Sequence, residues 1–81
     1  MDAIKNNKSV SLNLSSNEAL VLLDWLTKFN QKENSTLYED QAEERVLFDL
    51  EASLEKVVSE TFEENYREAL LKARLELRDK E

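Results

Sequence analysis

Residues 9–15, SVSLNLS, alternate strictly, with Val10, Leu12 and Leu14 on one side and serine or asparagine on the other. That is the period-two signature of a half-buried strand. From Ser16 the period changes. At about 100° per residue, Ala19, Leu22, Leu23, Trp25, Leu26 and Phe29 share one broad face opposite Asp24, Thr27 and Gln31, which predicts a helix over 16–30. Ser15 followed by Glu18 is a capping box at its start, the hydroxyl accepting from a first-turn amide and the carboxylate reaching back to the cap residue. The polar stretch NQKENS, residues 30–35, breaks the pattern without glycine or proline.

Beyond it, Ala42, Val46, Leu47, Leu50, Leu54, Val57 and Val58 recur at spacings of three and four, predicting a second helix over about 38–58, capped by Thr36 with Glu39 or by Asp40. No helix breaker follows, but the apolar phase shifts. The stripe of Leu47, Leu50, Leu54 and Val57 centres about 135° away from that of Phe62, Tyr66, Ala69, Leu70, Ala73 and Leu77, and one straight helix cannot turn both toward one core. The chain must therefore turn near residues 59–63 and enter a third helix over about 64–79, where Thr61 and Glu64 repeat the capping pattern. Residues 1–8, MDAIKNNK, are unpatterned and predict a disordered, frayed terminus. The expected fold is all-α, a three-helix bundle-like domain over residues 9–81 that begins with an N-terminal extended arm or single β-strand.

Composition narrows the chemistry. Of 81 residues 41% are hydrophobic, enough for one small core. The chain has no Gly, Pro, Cys or His. Glycine-dependent phosphate loops, disulfide frameworks, Glu-x-x-His di-iron sites and histidine- or cysteine-based catalysis are thereby excluded. Only Lys, Tyr and carboxylates remain as catalytic groups. Tyr66 and Arg67 lie beside Glu63 and Glu64, but Glu63–Arg67, Asp24–Lys28, Glu68–Lys72 and Glu76–Lys80 are i to i+4 pairs of the kind that support a solvated helix surface. The longest apolar run, Ala19 to Leu23, is far short of the roughly 20 residues a membrane span needs. With no leader pattern and no cysteine, a cytoplasmic chain is expected.

Charge is more informative. The net charge of -7 sits mid-chain, because residues 33–64 carry eleven acids against only Arg45 and Lys56, whereas the flanking segments are each net +1. Such a face repels nucleic acid and anionic lipid, attracts a basic protein, or simply keeps a small domain in solution. Clusters at Glu39, Asp40, Glu43, Glu44 and at Glu60, Glu63, Glu64 raise carboxylate-only Mg²⁺ or Mn²⁺ binding. Four-helix nucleotide pyrophosphohydrolases hold metal through E-x-x-E and E-x-x-D motifs. Glu60-Thr-Phe-Glu63 matches the first, no E-x-x-D follows, and the acids fall mostly off the apolar stripes.

Trp25, Phe29, Phe62 and Tyr66 lie on or near the apolar faces and are expected in the core. Phe48 falls at the edge of its stripe beside Glu44 and Glu51, which makes it the best candidate for an exposed contact. A lone strand leaves backbone groups unpaired, and no second alternating segment is present. It must pair with its own copy, add to another protein's strand, or lie extended across the helices. The helix 1 apolar arc of about 200° is wider than one neighbour covers, which adds to the case for a homodimer.

NEALVLLDWLTKFN (Asn17–Asn30) and EDQAEERVLFDLEASLEKVVSE (Glu39–Glu60) resemble segments of a group of small uncharacterised bacterial proteins. These have an S-x-x-E-entered helix with a D/E-W-L element, then an E-D-Q-A-E-x-R-V-L run. The resemblance implies a bacterial origin and an all-α fold; it carries no site residues, and Thr61 stands where that group has a proline. The expectation is a small acidic interaction or regulatory module that binds a basic protein partner. Phe48, Glu44, Glu51, Glu55 and the arm residues Val10, Leu12 and Leu14 would make the contact, with no catalytic residue, metal or cofactor. The alternatives are a carboxylate-only Mg/Mn-dependent enzyme acting on nucleotides and a structural homodimer, joined through the N-terminal strand, with no dedicated ligand.

Overall fold

The computed structural model describes residues 1–58 and 64–79. Two strands come first, β1 (Asp2–Asn6) and β2 (Ser9–Asn13), then three helices, α1 (Ser16–Asn30), α2 (Gln41–Val57) and α3 (Tyr66–Arg78). The result is a helical domain with an N-terminal strand arm. Both α2 and α3 pack against α1.

The arm corrects the sequence expectation. Residues 1–8 are not a frayed end, and β2 is not a lone strand: β1 pairs with it antiparallel, Asp2 opposite Asn13 and Asn6 opposite Ser9. Asn7 and Lys8 make the turn, and Asn7 takes the positive φ of 25° that the turn requires. Asparagine tolerates that region better than any residue except glycine, which is how a chain without glycine makes a tight hairpin. The β1 sequence DAIKN carries no period-two pattern, and every residue of both strands is exposed, so the alternation of β2 is not the mark of a half-buried strand; what joins the two is backbone pairing.

The Ser15 capping box forms as its spacing requires: Ser15 Oγ accepts from the Glu18 amide at 3.1 Å, and the Ser15 amide donates to Glu18 Oε1 at 2.8 Å. Bonding to that amide holds the Glu18 carboxyl below its ordinary range. Helix α2 begins later than position 38. Asp40 is its cap, with Oδ1 accepting from the Ala42 amide at 2.8 Å, so Leu37 and Tyr38 belong to the connector and not to the helix. Helix α2 ends at Val57, and α3 starts at Tyr66 after Asn65, which caps it without a side-chain bond. Helices α2 and α3 are thus separate elements, as the phase shift requires; residues 59–63, where the turn was expected, with Thr61 and Phe62 among them, lie outside the described residues.

The core consists of Leu20, Leu23 and Leu26 from α1, Leu54 and Val58 at the end of α2, and Leu70 and Ala73 from α3. Of the α1 face that periodicity marks, Leu23 and Leu26 are buried and Ala19 and Leu22 pack against the core, but the buried face reaches further round the helix on one side and stops short on the other. Leu20 and Asp24 are buried, while Trp25 is 54% exposed. Two neighbours cover α1, so its wide apolar arc no longer calls for a second copy, and Trp25 at its edge is left to solvent. Leu26→Ala should lower stability by about 2–5 kcal/mol, whereas Trp25→Ala, on the face that periodicity assigned to the core, should cost about 1 kcal/mol for its lost aromatic stacking. Urea unfolding followed by circular dichroism measures both; equal losses would place Trp25 in the core.

Candidate functional site

One buried carboxylate gathers donors from two helices. Asp24 Oδ1 accepts from the Tyr66 hydroxyl at 2.7 Å, and Oδ2 accepts from Arg74 Nη2 at 3.0 Å and Lys28 Nζ at 2.9 Å. Asp24 was expected on the solvated side of α1, paired with Lys28 alone. It is instead 8% exposed, with two of its three partners on α3. Burial pushes its carboxyl up, but Lys28, Tyr66 and Arg74 together outweigh that and hold it below its ordinary 3.8. Burial and the bond to Asp24 push the Tyr66 phenol up to about 12. At neutral pH the pair is therefore a carboxylate whose lone pairs are engaged and a phenol that keeps its proton, which ties α1 to α3. A cleft of about 490 Å³ beside it is lined by Leu23, Thr27, Gln31 and Glu55. Of the other helix pairs, Glu63 and Lys80 lie outside the described residues, and Glu76 accepts a bond from Asn17 Nδ2 on α1.

A second hollow, of about 500 Å³, lies where the end of α1, the connector and the start of α2 meet. Its walls are Phe29, Leu37, Tyr38, Ala42, Val46 and Leu47, with Glu43 at the rim. Leu37 is 66% and Val46 62% exposed. The connector reaches this position because Asn34 Nδ2 donates to the Phe29 carbonyl, closing the end of α1, and the Leu37 amide donates to the Asn34 carbonyl at 2.8 Å. Trp25 stacks on Phe29 with centroids 4.7 Å apart, and Tyr38 meets Phe29 edge-on at 6.3 Å, so three aromatics run in file from α1 into the groove. Acids adjoin it on one side: Glu39, Asp40 and Glu44 line a neighbouring hollow that shares Tyr38. Burial, and after it Glu44 and Glu33, push the Tyr38 phenol above its ordinary value.

The residues singled out from sequence do not share one lining. Phe48 is 45% exposed on α2, and Glu44, Phe48, Glu51 and Glu55 follow the i, i+4, i+7, i+11 spacing of one helix flank. That flank lies across the core-facing side of α2 from Val46 and the groove. Glu51 is half-buried and accepts from Asn30 Nδ2 at 2.7 Å, so it helps to join α2 to α1. Glu55 borders the Asp24 cleft, Val10 and Leu12 are exposed on the hairpin, and Leu14 is half-buried near Ala19 and Val58. Sequence reasoning missed Leu37, Tyr38 and Val46 as groove residues. The available signal was the Leu37–Tyr38 pair closing a polar connector.

Among the described residues, no three acidic side chains converge on a point that would hold a metal ion, and no helix is long and apolar enough to cross a membrane. In the first acidic cluster, Asp40 caps α2 and Glu43 Oε1 accepts from the Glu39 amide at 2.9 Å. Glu60 and Glu63 of the second cluster lie outside the described residues. No protein-family model, curated protein or solved structure matches the chain.

The opposite shifts of the Asp24 carboxyl and the Tyr66 phenol bound the pH range over which their bond stabilises the fold. A carboxyl held low in the folded state contributes stability that is present above its unfolded value near 3.8 and is lost as the pH falls through the folded value. A phenol raised from 10.0 to about 12 contributes stability that is present below pH 10 and is lost as the pH rises through about 12. Tyr66→Phe should therefore lower neutral-pH stability by about 1.5–3 kcal/mol, and the gap from the parent should close in acid as Asp24 protonates. A gap that stayed constant with pH would mean that the phenol bonds something other than the ionised carboxylate.

Proposed function

We propose that this chain is a small acidic interaction module, not an enzyme, and that it binds a positively charged, amphipathic segment of a partner protein in the groove formed by Phe29, Leu37, Tyr38, Ala42, Val46 and Leu47. The observation that carries this reading is an exposed apolar groove set within the net -9 segment of the chain. A ligand with apolar residues on one side and cations on the other satisfies both parts. The acids speed encounter by long-range attraction, and the desolvated apolar contacts then set the residence time. Laying an amphipathic helix in an apolar groove is a common mode of peptide recognition. The aromatic file provides rigid contact area at low entropic cost, and aromatic side chains are enriched among the residues that dominate binding energy.

Trp25 is the only tryptophan and stacks directly on a groove residue, so its fluorescence reports occupancy. A helical Leu/Lys amphipathic peptide should bind saturably and more weakly as salt rises, because exposed charges are screened over about 10 Å at 0.1 M ionic strength. A scrambled peptide of equal charge should bind far less. Val46→Lys, at an exposed position, should weaken binding at least about tenfold, the equivalent of roughly 1.4 kcal/mol. Equal binding of the scrambled peptide, or a silent Val46→Lys, would reduce the interaction to unspecific charge attraction.

The enzymatic alternative predicts a different response. Inward carboxylates that hold Mg²⁺ or Mn²⁺ stabilise the folded state by mass action. For an interaction module, divalent ions at constant ionic strength should leave the thermal midpoint unchanged. A rise with Mn²⁺ beyond that of a matched monovalent salt would favour the metal-dependent reading.

A further inference from the structure

The hairpin leaves one edge of β2 open. In an antiparallel ladder joined by two residues, the pair flanking the turn is hydrogen-bonded, and bonded and non-bonded pairs then alternate. Asn6–Ser9, Ile4–Ser11 and Asp2–Asn13 are therefore the bonded pairs, while Lys5–Val10 and Ala3–Leu12 direct their amides and carbonyls outward. Among the described residues, no hydrogen bond from beyond the hairpin reaches the backbone of Val10 or Leu12. Their side chains are also open, 66% and 51% exposed. A two-stranded hairpin with no covered face is marginal in water and gains from further strands.

We propose that β2 pairs antiparallel with β2 of a second copy of this chain, across a two-fold axis at Ser11, to make a four-stranded sheet. The register follows from which groups are free. Only Val10 and Leu12 present backbone groups outward, so Val10 stands opposite the partner's Leu12, Leu12 opposite the partner's Val10, and Ser11 opposite the partner's Ser11. The edge is thus self-complementary, as a two-fold interface must be, and it pairs valine with leucine twice on one face. Charge selects the same edge. Two copies of a chain with net charge -7 repel, and Ser9–Asn13 contains no ionisable group, whereas the outward pair on β1 would bring Lys5 against Ala3. This interface is separate from the groove, and its test is independent of the groove's occupant.

Ser11 sits at the axis, is exposed, and faces Ile4 within its own hairpin, so a charge there is tolerated in one chain and opposed in the pair. Light scattering on the full chain should give twice the monomer mass. Ser11→Lys and Ser11→Glu should each give the monomer mass, and an equimolar mixture of the two should return to the doubled mass through the ion pair formed at the axis. Amide exchange should show Val10 and Leu12 protected in the parent and fast in either variant, with the Ser11 amide slow throughout. A parent chain that stays monomeric to millimolar concentration overturns the proposal. So does Ser11→Lys that remains dimeric, and a mixture that stays monomeric overturns the register. Val46→Lys should leave the mass doubled, so failure at the groove and failure at the edge are read separately.

Discussion

The Asp24 carboxylate is the constraint on which the arrangement of helices depends. The buried core is small, chiefly leucine, and leucine packing alone leaves the rotation of a helix poorly specified. A buried anion is more demanding. Left without donors it would carry a desolvation penalty of several kcal/mol, so α3 must dock where the Tyr66 hydroxyl and the Arg74 guanidinium both reach it. Those two residues are eight apart, about 12 Å along the helix axis, and only a narrow range of α3 positions brings both to one carboxylate. Lys28, one turn along α1, keeps its ammonium largely in solvent while adding its charge to the same site. A buried pair of this kind adds little net stability against a well-packed apolar substitute. What it provides is the choice of one docking geometry among several that leucines alone would accept.

That choice has a consequence on the other side of α1. Turning Asp24 and Leu20 inward carries Trp25 outward and leaves Phe29 at the margin, where the two rings stack and Tyr38 closes on the second. The apolar arc of α1 is thus divided: its leucines serve the interior, and its aromatics serve the surface. Asn30 sharpens the division. Its Nδ2 donates both to the Leu47 carbonyl and to Glu51, and the flipped amide would aim an oxygen at two acceptors, so its orientation is set and α2 is held against the end of α1. The groove is the space left between helices whose positions are determined by polar contacts elsewhere.

Features governed by neighbours in the chain were legible from sequence. The Ser15–Glu18 box and the span of α1 follow from side chains meeting backbone one turn away. The separation of α2 from α3 was legible because a phase shift between two apolar stripes admits no single straight helix. Features decided by distant partners were not. Nothing local to Asp24 announces Tyr66 and Arg74, 42 and 50 residues away, so its i to i+4 Lys28 looked like its whole environment. Val46 and Val57 counted toward an apolar stripe, yet both are exposed, because α2 offers α1 a narrower strip than its periodicity suggests. β1 escaped for a different reason: DAIKN has no alternating pattern, and its pairing with β2 is made by backbone groups that the side-chain sequence does not record.

The two open surfaces stand in a definite relation to α1. The hairpin leads into its first turn and the groove is built at its last, and 15 residues of helix span about 22 Å. A second copy joined at the β2 edge would carry a second groove, with the uncharged strands at the join and the acidic segments away from it. Each groove contributes a modest apolar area, and a short basic segment bound in one of them would exchange quickly. Two grooves linked through one joined sheet would change the kinetics, because release would then require both segments to leave before either rebinds at the high effective concentration set by the linkage. In such a dimer, tight and selective capture would be attainable for a ligand with two basic segments at the matching spacing, without any enlargement of the groove itself.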